Sequence, residues 1–345
     1  MLSVEIKMSD LPPQARPGAK EPKSGKKPWH YTPSLPLLVS PYFRWPPNAV
    51  AVLKWIFRGW FPVSERLIIL LLSVLSWVYF HPALERCREF APDWIAQIYL
   101  RNLALMFMVA GGLHLYFYVW RRQGDERRYD TRPLATNSRV FTFRSQVLDN
   151  MFWSCTSGVP IWTAYEALMM WALANGYAPA LLPDDLPWLV LFVLLLPAWE
   201  TFHFFLIHRL IHWPPLYRRI HSLHHRNTNV GPWSGMSMHP AEHLIYLSTV
   251  LIHWIVPANP LLIIFHLQYF TLSAATTHTG YQGITIGGRL ILPLGTFHHQ
   301  MHHRYFECNY GGLEIPWDQW VGSFHDGTTE SHQRFLERRR QKVNA

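Results

Sequence analysis

The stretch 296–311, TFHHQMHHRYFECNYG, sets four histidines into six positions, and two more clusters lie upstream, HRLIH at 208–212 and HSLHH at 221–225. On a helix, His208 and His212 stand at i and i+4 and share a face. His221, His224 and His225 stand at i, i+3 and i+4, and His299, His302 and His303 repeat that pattern. Three such helices would converge eight imidazoles on one volume, enough to hold two metal ions with four nitrogens each. Packing gives no reason for the concentration, because an unliganded imidazole nitrogen near a bilayer must find a partner or cost free energy.

Of the 20 histidines, those outside the three clusters divide by context. His278, in TTHTG, ends a long uncharged segment and is a further candidate ligand. His239, in MHPAEH, is a candidate ligand or a group hydrogen-bonded behind one, with Glu242 nearby as the carboxylate that ligating imidazoles need on their other nitrogen. His243 opens an apolar run. His298 and His203 point about 100° and 140° away from the faces of their neighbours and are set aside. His30, His81, His114, His253, His266, His325 and His332 are singletons, read as packing residues.

An almost all-imidazole site suits iron, zinc, copper or nickel and excludes magnesium and calcium. No HExxH occurs, so zinc proteolysis is not indicated. Cys87, Cys155 and Cys308 are far apart, so neither a thiolate zinc site nor a disulfide framework is indicated. Two redox metals beside a membrane pocket point to dioxygen activation and oxidation of an unactivated C–H bond, for which side chains alone have no oxidant.

The elements that must carry these residues are helical and apolar. Charged residues make up 15% of the chain and aromatics another 15%, with 17 Trp, a composition that favours a bilayer interface. The net charge of +9 then reads as a cytoplasmic face or contact with anionic headgroups, not nucleic acid. Residues 1–35 read as a disordered basic tail without a signal peptide, and 36–65, broken by prolines, as an interfacial segment. Residues 66–185 read as transmembrane helices: 67–84 and 102–120 form a hairpin with cytosolic ends, followed by a third span over 150–175. A fourth helix from Trp188 carries its last turns into the first histidine cluster. The uncharged run 244–288, interrupted by PANP, is either two further spans or a re-entrant hairpin. The expected fold is therefore an all-α integral membrane protein of about four transmembrane helices plus that hairpin. A cytosolic helical cap carries the histidines over 186–325, and 326–345 is a basic tail. The glycines of TGYQGITIGG follow no strand and open no nucleotide loop.

At this point the motifs are recognisable. HRLIH, HSLHH, MHPAEH and HHQMHHRYFECNYGGLEIPWDQWVGS resemble the three-box signature of the fatty acid hydroxylase and sterol desaturase superfamily over roughly residues 190–325. The resemblance implies a membrane-bound, non-haem di-iron enzyme that hydroxylates or desaturates a lipid with dioxygen. It implies that His208, His212, His221, His224, His225, His299, His302 and His303 ligate two irons, joined by His278 at the family's HxG position. Asn309, Tyr310, Gly311, Trp317 and Asp318 resemble the closing motif that shapes the last box. Where the family often carries an aspartate and a tyrosine ahead of the first box, this chain has Thr201 and Phe205, with Glu200 the nearest acid. No HPGG marks a fused cytochrome b5 domain, so a separate donor of cytochrome b5 or ferredoxin type, with its reductase, is implied. The active site would face the cytosol, from the inner membrane of a bacterium or the endoplasmic reticulum of a eukaryote. A haem or metal carrier is the rival reading. It calls for isolated histidines inside the spans, whereas these clusters flank them. A family member without catalysis, holding a structural metal pair, is a third.

Overall fold

The computed structural model describes residues 28–61, 63–181 and 185–344. Most of the basic tail expected over 1–35 lies outside these residues, as does part of the acidic turn at 182–187. Helices begin where the sequence supplies caps. Asn48 accepts from Ala51 N, Ser64 from Leu67 N, Ser145 from Leu148 N and Asn259 from Leu262 N. Pro92, Pro240 and Pro260 stand at first-turn positions where a missing N–H costs nothing.

Among the described residues two helices are long and apolar enough to cross a bilayer, Pro92–Val119 and Leu186–Ile211. A third crossing is reached if Ala49–Trp60 and Glu65–Phe80, bent by 53°, act as one span. Length and composition alone therefore do not reach four. The segment expected as a third span is helical over 146–174, but its large residues Trp162, Met169 and Met170 are fully buried in the protein core. The helix expected to start at Asn102 begins at Pro92, so Arg101 is not a flanking charge. It is buried against Glu166, with Asn102 and Thr163 completing the network. Exposed apolar side chains mark the outside instead: Val50, Leu53 and Phe57 on the first helix, and Leu191, Leu194 and Leu195 on the helix that leads to the first cluster.

Within the run 244–288 no helix is long and apolar enough to count as a span among the described residues. Helix Pro240–Leu247 passes through the tight turns of Ser248–Trp254 into Pro260–Thr277, whose residues from Leu262 to Thr276 are all buried. This is the central helix. It bonds to Glu65–Phe80 through Gln268, which joins Ser73 and Ser76. The short turn Pro232–Met236 presses on it so closely that a Cβ on Gly235 would lie 2.0 Å from the Ala274 carbonyl. Any side chain there would force apart the segments flanking the second cluster.

The fold is mostly helical but not wholly so. GITIGGRLILP forms an antiparallel hairpin, β1 Gly283–Ile286 with β2 Arg289–Pro293, around Gly287 and Gly288 at φ 57° and 76°. Both glycines at positive φ match the two-residue turn that such hairpins need, which explains a glycine pair that opens no phosphate loop. The C-terminal stretch expected as a tail contains helix Thr329–Asn344, anchored by buried Phe335 and Ser331.

Candidate metal centre

Nine of the ten candidate histidines meet. His208, His212, His221, His225 and His302 form one group, and His224, His278, His299 and His303 a second, each with its ligand atoms within 4.8 Å of one another. The first cluster rides on the end of helix Leu186–Ile211. The second follows it after Pro214 in the short helical turns 214–226, and the third sits on helix Phe297–Tyr305. His278 caps the central helix. His239 joins neither group. It is the N-cap of Pro240–Leu247, where its Nδ1 accepts from Ala241 N, because the proline after it starts a helix there. Glu242, one turn on, reaches His221 instead.

The hydrogen bonds decide the tautomers. His208 Nδ1 lies 2.7 Å from the Tyr310 carbonyl, His302 Nδ1 2.7 Å from that of Cys308 and His278 Nδ1 2.7 Å from that of Ala274. His224 Nδ1 lies 3.3 Å from the carbonyl of Ser237. A carbonyl only accepts, so each Nδ1 carries the proton and each Nε2 presents a lone pair. His221 Nδ1 is similarly 2.7 Å from Glu242 Oε1.

Those Nε2 atoms point at each other. His302 lies 3.1 Å from His225 and 3.2 Å from His212, while His278, His299 and His303 form a triangle with edges of 3.0, 3.1 and 3.1 Å. An imidazole nitrogen carries either one lone pair or one proton, so a triangle of three facing Nε2 atoms holds at most one hydrogen bond, and its remaining contacts repel. Two nitrogens at right angles on one ion, with bonds of about 2.1 Å, stand about 3.0 Å apart. Both groups therefore fit a bound cation, and the donor set, neutral imidazole throughout, fits a transition metal.

Burial keeps the rings neutral. It pushes His225 and His303 well down from the ordinary histidine range, with further lowering by neighbouring imidazoles, and takes His224 to about 4 and His302 to about 3. His212 alone among the nine retains partial exposure.

Asn309 and Asp318, singled out from the closing motif, hold the loop that carries these carbonyls. Asp318 accepts from Tyr310 N, Gly311 N and Ser323 Oγ at 2.9, 2.7 and 2.6 Å. Asn309, at φ 58°, donates to the His298 and His325 carbonyls and accepts from His325 N. The carbonyl acceptors themselves carry no sequence signal, since any residue supplies one.

A cavity of about 280 Å³ opens on both groups, reaching His208 and His221 of one and His224, His278 and His299 of the other. Phe204, Ile207, Met238 and Ile245 supply apolar wall, and Trp55 of the first helix also lines it. The volume sits near the lower end of the roughly 300–1,000 Å³ usual for small-molecule sites. Of the histidines set aside, His243 is held by Ser157 Oγ and the Met236 carbonyl, and His253 and His266 hold each other at 3.0 Å.

Residues 192–323 match the family model described as Fatty acid hydroxylase. The chain is 30% identical over 125 residues to a Delta(7)-sterol 5(6)-desaturase of Eremothecium gossypii, covering 36% of this chain and 35% of that protein. It is 33% identical over 168 residues to cholesterol 25-hydroxylase of Rattus norvegicus, covering 45% and 54%, and 31% identical over 169 residues to that of Homo sapiens, covering 45% and 59%. The matches thus span 35% to 59% of the length of these relatives. No solved structure matches the chain. Through its histidine-bearing segment, the chain is similar to the fatty acid hydroxylase family and to these sterol desaturases and hydroxylases.

Proposed function

We propose that this protein is a membrane oxygenase that hydroxylates or desaturates a lipid, using dioxygen, two irons and electrons from a separate donor. One observation supports this above the rest: two groups of imidazole lone pairs converge within one protein, beside a largely apolar cavity that reaches both. His208, His212, His221, His225 and His302 would hold one ion and His224, His278, His299 and His303 the other. Bound there, iron supplies the redox capacity to activate dioxygen.

The chain's own residues do the rest. The carbonyls of Tyr310, Cys308, Ala274 and Ser237 retain the Nδ1 protons, which leaves every paired Nε2 free to coordinate. Glu242 orients His221 and raises its basicity. Phe204, Ile207, Met238 and Ile245 exclude water and seat a hydrocarbon next to the imidazoles. The balance is one dioxygen, two electrons and two protons per turnover, giving an alcohol and one water, or an alkene and two waters. The relatives' names, sterol desaturase and cholesterol 25-hydroxylase, favour a sterol-like substrate. In this reading the helices cross the bilayer and deliver the histidines to a cytosolic cap, which a donor of cytochrome b5 or ferredoxin type can reach.

The test pairs metal analysis with lipid mass spectrometry. Purified protein should contain about two non-haem irons per chain with no Soret band. Cells expressing it should gain a lipid heavier by one oxygen or lighter by two hydrogens, and lose it in a His224→Ala variant. A Soret band, or an unchanged lipid profile in iron-loaded cells with an active donor, refutes the proposal.

A further inference from the structure

The cavity has a polar end that the metal chemistry does not use. Along helix Leu186–Ile211, Glu200, Phe204 and His208 all line it, and the eight residues from Glu200 to His208 span about 12 Å of helix axis. The central helix runs the same way, from Tyr269 to His278. The loop after the third cluster confirms the direction. Tyr310 offers its carbonyl to His208, Gly312 packs on Thr201, and Glu314 lies beyond, bonded to Trp55 Nε1 and paired with Arg66.

Four carboxyl groups line the cavity; Glu242 stands at the metal end, and Glu65, Glu200 and Glu314 stand at the other with one guanidinium, Arg66. Glu314 is satisfied by Arg66 and Trp55, and Glu65 accepts from Thr276 Oγ1. Glu200 makes no hydrogen bond or ion pair with any described group, although it faces the cavity beside Glu65, Arg66 and Glu314. A carboxyl so placed costs free energy until something donates to it. The one guanidinium there, Arg66, is already paired with Glu314, so among the described residues this end offers no free cation to receive an anionic headgroup.

We infer that Glu200 receives the polar terminus of the substrate, and that this terminus is a hydrogen-bond donor, a hydroxyl or an amine, not a carboxylate or phosphate. The inference rests on the cavity being the lipid site of the oxygenase. It places the oxidised carbon roughly 12 Å from the donor group. Glu200 is then a binding residue that sets which lipids enter and in which direction.

Three probes of equal chain length separate the chemistries: hexadecanol, hexadecylamine and hexadecanoate. Each is titrated by calorimetry into detergent-solubilised protein, with iron content measured on the same samples. Hexadecanol, hexadecylamine or both should bind at least tenfold more tightly than hexadecanoate, and whichever binds identifies the terminus. Glu200→Leu should weaken that binding about tenfold or more, the effect of losing a bond to a charged group, while Glu200→Gln, which keeps an acceptor, should lose less. Glu200→Lys should reverse the preference toward hexadecanoate. Should Glu200→Leu fail to fold, the wild-type ranking and the Gln variant still decide. Hexadecanoate binding as well as the alcohol and amine, or a Leu variant with unchanged affinity, overturns the inference. Two irons with no selectivity sinks this inference and leaves the oxygenase standing; selectivity in protein that takes up no iron does the reverse.

Discussion

Replacing Glu242 tests whether the protein tunes its metal groups through the far side of the imidazoles. Glu242 Oε1 accepts from His221 Nδ1 at 2.7 Å, with both residues almost fully buried, at 3% and 1% exposure. Burial alone pushes the Glu242 carboxyl well up from its ordinary range. A dication on the other nitrogen of His221 reverses that balance, so the carboxylate is the relevant form once metal is bound. A hydrogen bond to a charged group contributes about 1.5–3 kcal/mol and a neutral one about 0.5–1.5 kcal/mol. Glu242→Gln keeps an acceptor and should lose about 1 kcal/mol, roughly fivefold in affinity for the ion held by His221. Glu242→Leu removes the acceptor and should lose about 10- to 100-fold.

The assay is chelator competition on detergent-purified, iron-loaded protein, with iron per chain read by mass spectrometry as chelator rises. Wild type, Gln and Leu variants should release the first ion at successively lower chelator, while the ion of His224, His278, His299 and His303 leaves at an unchanged midpoint. That split is the diagnostic part, because general destabilisation would move both steps. A Leu variant that keeps both irons at the wild-type midpoints refutes the reasoning.

Three other outcomes follow from the same geometry. Arg101→Leu or Glu166→Leu alone should destabilise the fold by about 3–5 kcal/mol by stranding a buried charge, and the double Leu variant should recover most of it, read as thermal unfolding in detergent. Asp318→Ala should strip iron from the group containing His208, since the carboxyl that fixes the Tyr310 carbonyl is lost; an unchanged iron count would refute that route. His243, buried and lowered to about 3, binds no proton in the fold between pH 6.5 and about 3, whereas the unfolded chain does. Its stabilisation is therefore complete above pH 6.5 and erodes as pH falls through that window, by on the order of 3 kcal/mol two pH units below 6.5. The melting-temperature gap between wild type and His243→Gln should narrow correspondingly on acidification.

How much of this was legible in the sequence depends on whether a signal is local. Histidine spacing is local, and it identified eight of the nine rings that meet; the ninth, His278, came from its place at the end of an uncharged run. Apolar runs are local too, but they do not say what surrounds them. Pro260–Thr277 reads like a membrane segment because it is uncharged, yet other helices cover it rather than lipid. Arg101 resembles the charged edge of a span until Glu166, 65 residues later, comes to lie against it. His239 looked like the partner of Glu242 because they are neighbours in the chain, whereas the proline between them turns His239 into a cap and delivers the carboxyl to His221. The hairpin at 283–293 was hidden by glycines whose positive φ is needed by a turn.

The division of the rings into two groups follows a rule that same-face spacing conceals. Every pair at i and i+4 serves one group: His208 with His212, His221 with His225, His299 with His303. Every residue at i+3 serves the other, His224 leaving the group of His221 and His302 that of His299. Consecutive residues on a helical winding diverge by about 100°, so the adjacent pairs His224–His225 and His302–His303 cannot aim at one point. Each doubled histidine instead straddles the gap between the groups. The second and third clusters therefore each tie both groups together through a single peptide bond, and the separation of the two sites is set by backbone geometry instead of by flexible side chains. The first cluster has no doubled histidine and serves one group only; the place it leaves in the other is taken by His278, brought from the end of the central helix. The singleton that the spacing pattern does not predict is the residue that the pattern's own geometry requires.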